Sequence, residues 1–107
     1  MKIVNFAEKN SELNRFVAEI RDIHIQQDRL RFRKNLERIG EVMSYEISKD
    51  FRYSEKLVTT PLGTARVNTA DDKIVIGTIL RAGIPYHQGF LNYFDRAENA
   101  FVSAYRK

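Results

Sequence analysis

The chain has 107 residues, of which 43% are apolar and 30% charged, and its formal net charge is +4. That apolar share is ordinary for one globular domain and excludes a disordered chain. With no cysteine, a disulfide framework, a thiolate zinc site and a cysteine nucleophile are excluded as well.

The opening residues Met1-Lys2-Ile3-Val4-Asn5-Phe6 reach Glu8-Lys9-Asn10 too soon to build the apolar stretch of a secretory leader. No run approaches the roughly 20 apolar residues that span a bilayer. The expected setting is cytoplasmic, with no membrane partner. Residues 1–50 hold ten basic and nine acidic side chains. The expected helical half is therefore nearly balanced, which argues against a dedicated nucleic-acid module.

In chain order, residues 11–23 place Leu13, Phe16, Val17, Ile20 and Ile23 at helical spacing, with Asn10 or Ser11 as the N-cap. A longer helix is expected over 28–49. It carries Phe32, Leu36, Ile39, Met43 and Ile47 on one stripe, with Gly40 as a mark of close packing by a neighbour. Residues 56–68, with Thr60-Pro61-Leu62-Gly63 at their centre, read as a β-hairpin with a longer loop. Asp71-Asp72-Lys73 is a solvated turn into the next strand.

The run Ile74-Val75-Ile76-Gly77-Thr78-Ile79-Leu80 is almost continuously apolar, which predicts a strand buried on both faces. Residues 84–95 read as a helix with Pro85 in its first turn, and 99–105 as a second strand. Strand, helix and strand make a βαβ unit over 74–107, with parallel strands and a right-handed crossover. Two strands are few for such a sheet. The chain is therefore expected to be the N-terminal part of something larger, or to cover an open apolar edge by oligomerising.

Arg81 follows the first of these strands and Arg106 the second, 25 residues later. Ligands of parallel sheets bind beyond the carboxyl ends of the strands. The two guanidiniums are thus expected to face one cleft, about 5–10 Å apart, and to suit a phosphate or diphosphate. Ala82 and Gly83 would let the backbone approach that anion, with the N-terminus of the next helix aimed at it. Close approach predicts unusual geometry across Leu80–Gly83, either positive φ at Gly83 or a cis non-proline peptide.

Ile79-Leu80-Arg81-Ala82-Gly83, followed by Tyr105-Arg106, resembles the uracil phosphoribosyltransferase family. Two upstream segments agree in order: Phe32-Arg33-Lys34-Asn35-Leu36 through Ile39, Met43 and Tyr45-Glu46, and the turn Thr60-Pro61-Leu62-Gly63. The resemblance implies an α/β fold, the N-terminal part of a phosphoribosyltransferase-type parallel sheet flanked by helices, with two N-terminal helices and a β-hairpin. It makes residues 1–107 a single, incomplete domain: a helical segment at 1–50, the hairpin at 56–68 and the βαβ unit at 74–107.

The same resemblance implies transfer of ribose 5-phosphate from 5-phosphoribosyl 1-diphosphate to uracil, giving UMP and diphosphate. Arg81, Ala82, Gly83 and Arg106 would bind the phosphoribosyl diphosphate, with Mg2+ accompanying it. No residue of this chain is assigned a catalytic role. A homo-oligomer and a GTP effector are further implications.

Several residues depart from the family pattern. Ile84-Pro85-Tyr86-His87-Gln88-Gly89 stands where many members have a glycine-rich, methionine-containing stretch, and Lys107 where an aspartate is common. A Thr-Gly-Gly-type ribose-phosphate loop is absent, because no two glycines are adjacent. The uracil-recognition segment is absent too, so the 107 residues alone are expected to be inactive. Two other classes of function remain open: a non-catalytic regulatory protein that binds phosphorylated ligands, and an RNA-binding module using the basic helix at 29–34. His24 and His87 do not read as a metal pair, and His87 is expected on a helix surface. Arg29, Arg31, Arg33 and Lys34 are expected on a solvated or subunit-facing helix surface.

Overall fold

The computed structural model describes residues 3–104. Helix α1, Leu13–Arg21, is opened by Ser11, whose hydroxyl accepts the Leu13 N–H at 3.2 Å. It ends before Ile23 because Asp22 turns extended and its carboxylate accepts the N–H groups of His24 and Ile25. That local turn competes with further helix and throws Ile23 into solvent, where it is 70% exposed. The expected stripe therefore stops at Ile20.

Helix α2, Arg29–Ser48, is about 30 Å long and begins at Asp28, whose side chain caps the Arg31 N–H. Its buried line is Asn35, Ile39, Gly40 and Ser44. The expected stripe lies slightly to one side, half-buried at Phe32, Leu36 and Met43 and exposed at Ile47.

A polar cluster fastens α1 to α2. Glu19 accepts from Asn35 Nδ2 at 3.0 Å and Arg31 Nη1 at 3.1 Å, and Asn35 Oδ1 accepts from Arg38, which lies over the Phe16 ring. The Asn35 amide first, and then the Arg31 guanidinium, hold the Glu19 carboxyl below the usual carboxylate range. A depressed folded value stabilises the fold above the unfolded carboxylate range, and that contribution is lost as pH falls through the folded value. Asn35→Leu is therefore expected to lower the urea midpoint at about pH 7 and to leave a shallower decline towards about pH 3, measured by urea titration at each pH.

Strands β1 (Tyr53–Thr60) and β2 (Gly63–Ala70) form an antiparallel hairpin paired from Tyr53–Ala70 to Thr60–Gly63. The expected longer loop is in fact two residues, Pro61 and Leu62. Thr60 Oγ1 accepts the Leu62 N–H and donates to Gly63 O, while Gly63 takes φ +132°, a conformation other residues rarely adopt. Almost the whole hairpin is solvent-exposed, Leu57 included at 66%.

Strand β3, Val75–Leu80, helix α3, Ile84–Tyr93, and strand β4, Glu98–Ser103, form the expected unit, with β3 and β4 parallel. The overall architecture is α/β, with N-terminal helices, an antiparallel hairpin and a parallel sheet against helices. The expectation that β3 is buried on both faces fails. Ile76 and Thr78 are buried beneath α3, whereas Val75 and Ile79 are 62% and 64% exposed. Among the described residues nothing covers that second face, so the apolar run records a surface left open here. Strand β4 ends at Ser103, with Ala104 already outside it, and the expected last strand residue Tyr105 and the Arg106 that follows lie outside the described residues.

Helix α3 is set against α2 by two glycines. A Cβ on Gly40 would lie 2.6 Å from the Tyr86 carbonyl oxygen and 3.1 Å from the Gly89 Cα. Asn92 Nδ2 bonds Glu37 and Glu41 beside this crossing, and the Tyr86 hydroxyl reaches Met43 Sδ at 3.1 Å. Alanine in a helix normally gains about 1 kcal/mol over glycine, but here the added methyl meets backbone. Gly40→Ala is expected to destabilise the chain by about 1–3 kcal/mol, read from denaturant unfolding.

Candidate functional site

The carboxyl end of β3 leads into α3 through Arg81, Ala82 and Gly83. This turn carries the expected unusual backbone: the Leu80–Arg81 peptide is cis, whereas Gly83 takes an ordinary right-handed helical φ of −75°. The glycine is required by space rather than by φ. A Cβ there would stand 2.8 Å from the Ile79 carbonyl oxygen and 2.9 Å from Thr78 Cγ2.

Three hydrogen bonds close the turn: Gly83 N–H to Ile79 O, Ile84 N–H to Arg81 O, and His87 N–H to Gly83 O. Pro85 falls in the first turn of α3, where no intrahelical N–H is needed. The turn is thus held by its own backbone, and the positive end of α3 opens directly beside it.

The Arg81 side chain is exposed, and among the described residues it makes no hydrogen bond or ion pair. Its guanidinium keeps all of its donors. Two cations of the expected basic run at 29–34 differ. Arg31 is engaged by Glu19 and approaches Asp28, and Lys34 lies 3.5 Å from Glu37. Arg29 and Arg33 of the same run are exposed beside them.

A groove of about 780 Å³ runs along β3 and its flanks from Lys73 to Gly83, walled by Tyr86 and Phe90 of α3, by Phe94 just after it, and by Ile47 and Phe51. Arg81 and Gly83 lie at one end of it and an apolar wall makes up the rest. Burial pushes the Tyr86 phenol above its ordinary value, which keeps its proton on the hydroxyl that faces Met43.

Of the four residues expected at the site, the structure gathers Arg81, Ala82 and Gly83 in one turn, while Arg106 lies outside the described residues. The expectation for His87 is corrected. It is 6% exposed and faces the sheet, with Nδ1 hydrogen-bonded to Thr78 Oγ1 and its ring 5.0 Å from that of Phe101. The helix phase explains the error. His87 is one turn beyond Gly83, the residue packed on β3, so it shares the sheet-facing side.

Among the described residues no three of His, Cys, Asp and Glu gather to hold a metal ion. The donor set at the turn is cationic and backbone, which does not fit a resident Mg2+. Likewise, no helix among the described residues is long and apolar enough to cross a membrane.

A parallel βαβ unit with an arginine and a close-packed glycine at the carboxyl end of its first strand, preceded by a hairpin and two helices, is the arrangement of a phosphoribosyltransferase-type fold. The uracil phosphoribosyltransferase family model matches residues 7–107, and the chain belongs to that family.

The chain is 61% identical to a uracil phosphoribosyltransferase of Porphyromonas gingivalis over all 107 residues, which cover 50% of that protein. It is 37% identical to one from Pyrococcus furiosus over 92 residues, covering 84% of this chain and 39% of that one. The solved structure of the AQ2163 protein from Aquifex aeolicus superposes with a TM-score of 0.75 at 31% identity, over 92% of this chain and 48% of that one. The chain thus spans about half the length of the relatives it matches.

Proposed function

We propose that this chain supplies the diphosphate-binding part of a uracil phosphoribosyltransferase, which joins uracil to 5-phosphoribosyl 1-diphosphate and releases UMP and diphosphate. The observation that carries this reading is the exposed Arg81 guanidinium, without a partner among the described residues, at the mouth of a glycine turn in a chain of this family.

Displacement at the anomeric carbon places positive character on the sugar and negative charge on the departing diphosphate. A fixed guanidinium beside a helix N-terminus lowers the energy of that developing charge, because its dipoles are oriented before the reaction begins. Arg81 donates a bidentate pair to the diphosphate, a charge-assisted contact of about 1.5–3 kcal/mol. Arg106 is assigned the same partner from its place in the motif. Ala82 and Gly83 keep side-chain bulk away from the anion. No side chain of this turn would hold Mg2+; a metal accompanying the diphosphate would supply charge neutralisation there, with Arg81 as the protein's own contact.

The reading is tested by joining residues 1–107 to the half of the Porphyromonas gingivalis relative that they do not cover, and assaying UMP formation from uracil and phosphoribosyl diphosphate.

A further inference from the structure

His87 is buried and yet polar, and it touches both strands of the parallel sheet. Its Nδ1 bonds Thr78 on β3, three residues before Arg81, and its ring lies against Phe101 on β4. Its backbone N–H closes the turn on Gly83 at 2.8 Å, and Thr78 Cγ2 fills the space that a Gly83 side chain would need. Thr78, Gly83 and His87 therefore form one packed unit directly behind the turn that presents Arg81.

The other ring nitrogen, Nε2, is buried and has no hydrogen-bond partner among the described residues. A leucine or phenylalanine at this position would fill similar space without leaving a polar atom unpaired. What the imidazole adds over those side chains is the directional bond to Thr78.

We propose that His87 is a positioning residue. Through Thr78 and Phe101 it fixes the Arg81–Gly83 turn over the carboxyl ends of β3 and β4, and so sets where the phosphoribosyl diphosphate sits. The proposal rests on the diphosphate reading of that turn. Removing the bond leaves the turn's residues intact but loosens their placement, which weakens binding of the anion more than it weakens binding of the base.

The test uses the joined protein described above. Thr78→Val is isosteric but cannot hydrogen-bond. It is expected to raise KM for phosphoribosyl diphosphate about 5- to 30-fold while KM for uracil stays within about twofold. Thr78→Ser, which keeps the hydroxyl, is expected to restore KM. His87→Leu is expected to match Thr78→Val, and the double variant to be no worse than either, because one bond is lost in each case. A Thr78→Val protein with wild-type constants would overturn the proposal. So would a loss spread equally over both substrates that Thr78→Ser does not recover.

If the joined protein with native residues makes no UMP, the diphosphate reading fails, and the positioning claim is decided on the 107-residue chain by NMR. There, Thr78→Val is expected to move the His87 Nδ1 resonance and the amide resonances of Arg81–Gly83, and Thr78→Ser to leave them in place. Amides that ignore Thr78→Val would refute the claim.

Discussion

No UMP is expected from the 107 residues alone, and turnover is expected once they are joined to the second half of the Porphyromonas gingivalis relative. A phosphoribosyl transfer needs three grips: one on the diphosphate, one on the ribose 5-phosphate and one on the base. Residues 1–107 contain a candidate only for the first. Backbone cradles for a phosphate monoester draw on adjacent glycines, and Gly40, Gly63, Gly77, Gly83 and Gly89 are all isolated from one another. Two of them, Gly40 and Gly89, are occupied by the α2–α3 crossing.

Positioning both substrates is worth several orders of magnitude in rate, so losing two of three grips is expected to bring activity to background. The junction itself is favourable, since the relative is 61% identical over this whole segment. A coupled or radiometric assay of the short chain, the second half and the joined protein reads this out. UMP formation by the short chain would place the missing grips within these 107 residues.

Much of the architecture was legible in the residues, for physical reasons that differ by element. Helix α2 was clear because apolar residues recur at helical spacing over 20 residues; its Asp28 cap emerges only from the structure. The parallel pair was clear because a helical stretch opened by Gly83 separated two apolar runs. The role of Gly40 was foreseen because a mid-helix glycine is costly unless a neighbour needs the space, and Tyr86 and Gly89 occupy it.

Other features follow from contacts that a linear pattern does not carry. The apolar run of β3 predicted cover on two faces, but apolarity states what a face tolerates and not what is present to cover it. Ile23 kept the helical period, yet the Asp22 carboxylate took the next two amides and ended the helix first. His87 was the most consequential miss. Its sheet-facing side was available from its spacing to Gly83, one helical turn away, but the Thr78 partner emerges only when β3 and α3 pack. The unusual backbone at Leu80–Gly83 was anticipated in kind, and the cis bond falls at Leu80–Arg81 with Gly83 ordinary.

The central claim is that Arg81 holds the diphosphate. Its guanidinium is exposed, lacks a protein partner among the described residues, and leaves the end of β3 beside the positive end of α3. On the proposed reading, truncating it would remove charge-assisted bonds that strengthen as the diphosphate departs, while disturbing no described ion pair of the fold. The loss is therefore expected in turnover and not in stability. The direct measurement is kcat/KM for phosphoribosyl diphosphate in the joined protein, with Arg81 and with Arg81→Ala, alongside the melting temperature of each. A fall of about 10- to 10³-fold, or about 1.4–4 kcal/mol of transition-state stabilisation, is predicted with the melting temperature unchanged. An Arg81→Ala protein that turns over at the native rate would contradict the account and move the diphosphate to another part of the molecule.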